Sequence, residues 1–570
     1  MKKWNLIYSS QKLVVSSQKL LNILLENRGL KTKKEKEEFL NPNLSKVTLS
    51  SVGIDKSQVS KALKRIERAI RNKEQIIIFG DYDVDGICGS AILWETLNSF
   101  GANVLPYIPS RFEEGYGLSL TGISNIKNKI SNIKLIITVD NGIVANEAVD
   151  FAKSLGIDVI VTDHHVPSEK LPKAHSIIHT TAICGAGVAY LLSQAISNFQ
   201  FPISKKILNT KYKIPDTHLE LVCLATIADL VPLKGANRVF VHFGLKSLQN
   251  TRRVGLLELL RLAGIEKENV GVYEIGYIIA PRLNAMGRLE SAMDSLRLIC
   301  TKDVQRAQKL AKSLSDTNLQ RQEFTINALN HAKEKTKENA LKNLIFIADK
   351  SYQEGVVGLV AGRITEEFYL PSIIVSKGKK YSKASARSVK GFNIVEFLRQ
   401  AEDLMVNMGG HPMAAGFTVE TAKLEILEKR LHSLAEKLID RNSLQRQLNI
   451  DLEIPAGLIT FDVYNLTRKL APFGMANPEP TFLTKDLIVE GLRIIGKDGK
   501  HLKLQLKHKI RSDLDIASNE GRTLTGIYFG AGDSHNLKIG DRVDVIYTLD
   551  VNEWNGSKKL QLKIKDVRKN

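Results

Sequence analysis

The sequence predicts an α/β protein: a doubly wound parallel sheet, joined by a long helix to a smaller α/β domain, with a β-barrel at the C-terminal end. Three observations predict it. Between residues 75 and 163, apolar runs of strand length alternate with helical stretches, and each run stops at glycine or aspartate, the pattern of parallel strands buried on both faces. Between 291 and 342 strand signals vanish and the chain becomes charged and helical. Beyond 446, short strands separated by Gly, Asn and Asp recur at even spacing, as in a small closed barrel.

At 570 residues the chain exceeds what one hydrophobic core supports, and 43% hydrophobic residues suffice for several. It has no run of about 18 apolar residues, and its first residues lack an apolar signal region with a small-residue cleavage site, so the expectation is a cytoplasmic chain without membrane contact. Cys88, Cys184, Cys223 and Cys300 lie in apolar contexts without CxxC spacing, which argues against a thiolate zinc site or a disulfide framework. Lysine and arginine total 81 against 61 aspartates and glutamates, a formal +20, which favours a polyanionic partner such as nucleic acid. Aromatics are scarce at 6%, so the expected grip is on a phosphate backbone rather than on bases stacked along an open platform.

Residues 1–55 read as a helical segment: Thr32 with Glu35 makes a capping box, and Asn41-Pro42-Asn43 breaks the helix it starts. Asp55 then precedes an amphipathic helix over 57–71. Next comes QIIIFGDYDVDG, residues 75–86, in which Gln75 to Phe79 reads as a strand and Asp81, Asp83 and Asp85 crowd the turn before a helix over 87–100. One aspartate after a strand is usually a helix cap or turn residue. Three in alternation resist ionising together, and a divalent cation removes that conflict.

Residues 103–109 read as a strand followed by Arg111. A strand over 134–139 ends in Asp140-Asn141-Gly142, and after a helix over 144–155 a strand over 157–162 ends in Asp163-His164-His165. Parallel sheets bind ligands at the carboxyl ends of their strands, where all these side chains fall. The apolar helix 219–230 carries Asp229 in its last turn, the unfavourable end of the helix dipole for an anion. A solvated aspartate explains that segment alone equally well. Together, carboxylates with one or two imidazoles suit Mg²⁺ or Mn²⁺, the histidine tilting the preference to Mn²⁺.

GDYDVDG (80–86), VDNG (139–142), TDHH (162–165) and ATIADLVPL (225–233) resemble the motifs of the DHH phosphoesterase superfamily. APRLNAMGRLE (280–290), EGVVGLVAGRITEEF (354–368), SARS (385–388), GGHPMAAGF (409–417) and PFGMANPEP (472–480) are similar, in the same order, to the RecJ-type single-strand-specific exonucleases. The resemblance implies a set of metal residues, Asp81, Asp83, Asp85, Asp140, His164 and Asp229, holding two divalent cations, Mn²⁺ or Mg²⁺, with Asp140 as the bridge. It implies catalytic roles for Asp140 and for His165, which would approach the scissile phosphate. Phe79 departs from superfamily members with a histidine there, which makes Asp81 the substitute ligand. The loop within 175–190 is shorter than in RecJ relatives.

The second half follows the same resemblance. The helical region 291–342 would bridge a DHH domain over 56–290 and a DHHA1 substrate-binding domain over 343–445. In the latter, strands at 343–348, 372–376 and 384–388 alternate with helices at 356–369 and 393–406 before Gly409-Gly410-His411. Arg111, Ser385 and Arg387 would recognise a 5′ phosphate, with Arg282, Asn284, Arg288, Gly410 and His411 as further substrate-binding candidates. The barrel, 446–570, reads as an OB-fold whose Lys500, Lys503, Lys507 and Lys509 could line a single-strand groove.

The function expected is metal-dependent 5′–3′ hydrolysis of single-stranded DNA in recombination and repair. The chain would act as a monomer, with single-strand-binding protein and a helicase as partners. Two alternatives stay open: a DHH-family phosphodiesterase acting on oligoribonucleotides or cyclic dinucleotides, and a non-catalytic nucleic-acid-binding scaffold.

Overall fold

The computed structural model describes residues 2–8, 17–111, 113–199, 217–338, 343–440, 444–496, 498–508, 523–532, 535–554 and 556–570. They form two compact units: Leu44–Val231 with Val239–Gln445, and Met1–Asn43 with Pro232–Arg238 and Arg446–Asn570.

In the larger unit, five parallel strands lie in the order Val104–Tyr107, Gln75–Phe79, Ile133–Thr138, Asp158–Asp163, Ser176–His179. The order reverses beside Gln75–Phe79, so a crevice opens where that strand and Ile133–Thr138 end, the place where doubly wound sheets bind ligands. One face packs Ile77, Phe79, Ile136 and Val161 against Ile123, Ile126, Val149 and Ala152 of helices Leu120–Lys129 and Asn146–Ser154. Helices Val84–Ser99 and Gly185–Asn198 pack on the sheet and on each other, with Thr217–Ala228 against both. Burial on both faces explains the unbroken apolar run of QIIIF.

The helix expected to begin at 87 begins at Val84, because the Asp83 side chain accepts from the Asp85 and Gly86 amides at 2.9 and 3.1 Å and caps it. Val304–Glu338 is the long helix, 35 residues and so about 52 Å. It packs on Val254–Leu262 and Ala280–Leu289 and, further along, on Val357–Phe368.

A second sheet has the order Met405–His411, Ala414–Glu420, Tyr381–Arg387, Ser372–Ser376, Ile345–Asp349, with only the last pair parallel. The helix expected over 393–406 is shorter, Ile394–Arg399, capped by Asn393. Met405–His411 is instead an edge strand, so Gly409, Gly410 and His411 are hairpin residues rather than a helix stop. The reason lies in the partner strand, whose Ala415, Phe417 and Val419 alternate into the core.

The smaller unit is a seven-stranded sheet in the order Lys3–Tyr8, Gln447–Glu453, Phe482–Ile495, His501–His508, Thr523–Tyr528, Ser557–Lys569, Arg542–Trp554, closed by pairing of Phe482–Ile495 with Arg542–Trp554. The reading of residues 1–55 as helical therefore fails at its start. Lys3–Tyr8 runs parallel to Gln447–Glu453, with Trp4 and Leu6 over Ile450, Leu483 and Ile546. Its apolar period is two, but among the described residues its partner strand is Gln447–Glu453, far along the chain. Leu20 and Leu24 of helix Ser17–Asn27 enter the same core as Phe482. Of the barrel lysines, Lys507 pairs with Glu490 and Lys500 with Asp498, and Lys509 lies outside the described residues.

Candidate metal centre and anion pocket

The three aspartates of the first turn do different things. Asp83 caps its helix, as above. Asp85, on the first turn, reaches across to the start of helix Gly185–Asn198 and accepts from the Gly185 and Ala186 amides at 2.7 and 2.6 Å. Position 185 has to be glycine, since a Cβ there would stand 2.7 Å from the Cβ and Oδ1 of Asp140. Asp81 is buried and its Oδ1 has no hydrogen-bond partner.

Asp140 follows the Ile133–Thr138 strand at φ +64°. The turn is held by Asn141, whose amide donates to the carbonyls of Phe79 and Val139 at 3.2 and 2.8 Å and accepts from the Leu118 amide at 3.1 Å. Asp229 follows helix Thr217–Ala228, and Leu230 at φ +58° turns the chain away. Between them stands His164, its Nε2 3.1 Å from Asp140 Oδ1 and 3.6 Å from both Asp85 Oδ2 and Asp229 Oδ2.

Three groups of side chains could each hold a cation: Asp81, Asp83 and Asp140; Asp85, His164 and Asp229; and Asp140, His164 and His165. Asp140 and His164 each belong to two of these groups. Burial, then the charge of Asp83, pushes Asp81 well above the usual carboxylate range; burial, then Asp85, does the same to Asp140. Asp229 is pushed up to about 8 by burial and by Asp85. Burial also lowers His164, against the opposing charge of Asp85, which favours the neutral imidazole a cation needs as a ligand. Asp81 Oδ1, Asp140 Oδ1 and His164 Nε2 are all buried without a hydrogen-bond partner. Orphaned acceptors of this kind, converging on one crevice, fit a pair of hard divalent cations.

His165 is held differently. Its Nδ1 lies 2.8 Å from Asp163 Oδ1 and its Nε2 3.0 Å from the Tyr116 hydroxyl. Burial opposes a charge on the ring, but the bond and charge of Asp163 outweigh it and raise His165 to about 8.

Beside the aspartates lies a cavity of about 440 Å³, lined by Tyr82, Arg111 and Tyr116 from the turns that follow the first two strands of the first sheet, by Arg288 from helix Ala280–Leu289, and by Lys383, Ser385, Arg387 and Gly410 from the second sheet. Burial, then neighbouring Arg111, lowers both Arg288, to about 10, and Arg387. Arg387 donates to Ser385 Oγ at 2.9 Å. Such a cluster is completed by an anion.

The structure thus brings together all six expected metal residues and His165, and separately Arg111, Arg288, Ser385, Arg387 and Gly410. Three substrate candidates fall elsewhere. Arg282 donates to the Ile278 carbonyl at 2.7 Å, Asn284 accepts from the Val84 amide at 3.0 Å and so braces the aspartate turn, and His411 is exposed and outside the cavity lining. Asp163, Tyr116 and Asn141 were not among the expected site residues. Glycines on both sides of Tyr116, at φ +83° and +67°, were a visible sign of a shaped loop.

Three family models match this chain: the DHH family N-terminal domain over 75–226, the DHHA1 domain over 341–439 and the RecJ OB domain over 450–566. Fold and site therefore define a DHH/DHHA1 phosphoesterase carrying an OB domain. The chain is 31% identical to the single-stranded-DNA-specific exonuclease RecJ of Escherichia coli, covering 96% of this chain and 95% of the relative. It is 35% identical to RecJ of Bacillus subtilis over 89% of this chain, and spans 63% of that relative's length. The crystal structure of Thermus thermophilus RecJ in complex with Mn²⁺ matches with a TM-score of 0.81 at 28% identity, covering all of this chain and 80% of the other. This chain belongs to the RecJ family of single-stranded-DNA-specific exonucleases.

Proposed function

We propose that this chain is a metal-dependent exonuclease that shortens single-stranded DNA from a phosphorylated 5′ end, in the cytoplasm, as part of DNA recombination and repair. The exonuclease activity on single strands rests on family membership. The observation that carries the chemistry is the sharing of Asp140 and His164 among the ligand groups at the sheet's crevice. In our reading Asp81, Asp83 and Asp140 would hold one cation, and Asp85, His164 and Asp229, with Asp140 shared, would hold the other. When bound, such a pair lowers the pKa of a water and stabilises the attacking and leaving oxygens of an in-line displacement at phosphorus. Asp85 is oriented by two backbone amides and Asp83 by its capping bonds, so neither ligand has to be ordered at the moment of reaction. His165, aimed by Asp163, donates to a non-bridging phosphate oxygen.

The arginine cavity beside the metal residues supports recognition of a terminal phosphate, which is what gives the reaction its end and its direction. Single-strand-binding protein and a helicase are partners expected on this reading, and the working form is a monomer. A phosphodiesterase confined to dinucleotides would share the metal residues, but the RecJ OB domain and the +20 charge favour a long strand. Digestion of DNA labelled at either end, with Mn²⁺ or Mg²⁺, tests the proposal. Single strands should shorten from the 5′ end while blunt duplex persists, and release from the 3′ end would refute the polarity.

A further inference from the structure

We infer that Tyr273 and Tyr277 form a stacking platform for bases of the DNA strand beyond the cleaved phosphodiester; this rests on the reading of the chain as a single-strand exonuclease. The two rings are 63% and 73% exposed, and they lie against each other with centroids 4.9 Å apart and planes 30° apart. They flank and enter a π-helical turn, Ile275–Ile279, between Val272–Glu274 and Ala280–Leu289. Insertions of this type cost helical regularity and recur at functional sites.

The position of the pair ties it to the site. Ile275 and Ile279 are buried, and the π-helical turn packs on helix Thr217–Ala228, which delivers Asp229. A Cβ on Gly276 would lie 3.7 Å from Ile227. In the other direction, Asn284 braces the aspartate turn and Arg288 lines the anion cavity. Seven and eleven residues separate these from Tyr277 along one continuous helical run, so the pair sits on the same stretch of chain that braces the aspartate turn and lines the anion cavity.

Chemistry singles out the occupant. The Arg282 guanidinium donates to Ile278, one residue past Tyr277, and its Nε is buried without a partner. Burial lowers it, and no acidic neighbour offsets that. Exposed rings packed on each other, on a turn whose backbone this guanidinium braces and in a chain of net charge +20, offer what a single strand requires, π-faces for its bases within a basic surround. The low overall aromatic content hid this, since two tyrosines suffice when they are adjacent in space.

The test is the Tyr273→Ala/Tyr277→Ala double variant, with Tyr→Phe at both positions as the conservative control. Each is assayed with Mn²⁺ on a 5′-phosphorylated oligothymidylate about twenty nucleotides long, intact or carrying abasic residues walked along the strand. Stacking energies predict a KM raised about tenfold or more in the alanine variant, with kcat nearly unchanged and the phenylalanine variant close to wild type. Abasic residues a few nucleotides from the 5′ end should weaken the wild-type enzyme and leave the alanine variant unaffected. An unchanged KM, or variant and abasic effects that simply multiply, would overturn the platform. Wild-type protein that leaves the oligothymidylate intact would refute the exonuclease reading instead.

Discussion

His165 Nδ1 and Asp163 Oδ1 stand 2.8 Å apart, and the same carboxylate oxygen accepts from the backbone amides of His164 and His165. One buried side chain therefore sets both the path of the backbone through the histidine pair and the orientation of the second ring. Asp163 itself stays below the usual carboxylate range, because His165 outweighs the cost of its burial.

Replacing Asp163 with Asn keeps the shape and removes the charge. Supporting groups of this kind are worth about 10–100-fold. The expected outcome is a fall in kcat of that size with Mn²⁺ affinity, read by calorimetry, little changed. Full activity would show that His165 needs no such partner.

Asp140→Asn separates the bridge from the fold. Asparagine tolerates the positive φ of this position, where alanine would add backbone strain. The variant also relieves a buried charge crowded by Asp85, so the metal-free protein should melt no lower than wild type. Nuclease activity should fall by about a thousandfold, and added Mn²⁺ should no longer raise the melting temperature as it does for the wild type.

Arg387→Ala removes a guanidinium held between Ser385 and the cavity. A charged hydrogen bond contributes about 1.5–3 kcal/mol, so KM for 5′-phosphorylated strands should rise by roughly 10–150-fold. Strands ending in a 5′ hydroxyl should be affected far less. Equal losses on both would remove the cavity's role in recognising the end.

A buried network behind the site predicts a pH dependence of stability. Arg253 bonds Glu95 through two nitrogens at 2.6 and 2.8 Å and Glu220 at 2.7 Å, and His218 stands 3.0 Å from Glu95. It joins the helices that bear Asp85 and precede Asp229. Burial raises Glu220 to about 7 from 4.5, although Arg253 opposes the rise. A carboxyl raised in the folded state stabilises fully below its unfolded value and loses that contribution as pH climbs through 7. Glu220→Gln should therefore gain on wild type between pH 5 and 8, by up to about 3 kcal/mol, in urea unfolding. A difference that does not change with pH would contradict the shift.

Much of the site could be read from the chain because each ligand stands at the end of a strand or helix whose apolar pattern is local. QIIIF, followed by alternating aspartates, needs no distant partner to be recognised as a buried strand and an acidic turn. Asn284 and Arg282 could not be read this way. Both sit in a motif that resembles a substrate-binding one, yet the helix phase turns Asn284 onto the Val84 amide and Arg282 onto the Ile278 carbonyl.

Residue order alone determined the alternating α/β plan, the acidic and imidazole ligand types and the excess of positive charge, since periodicity and composition survive without coordinates. Tertiary structure decided which aspartate caps and which stays bare, that Asp163 aims His165, and that Lys3–Tyr8 is a strand whose partner begins at Gln447. The strand pairing joins segments more than 430 residues apart, and the capping and aiming bonds, though local, depend on side-chain geometry within about 3 Å that packing sets and spacing along the chain does not.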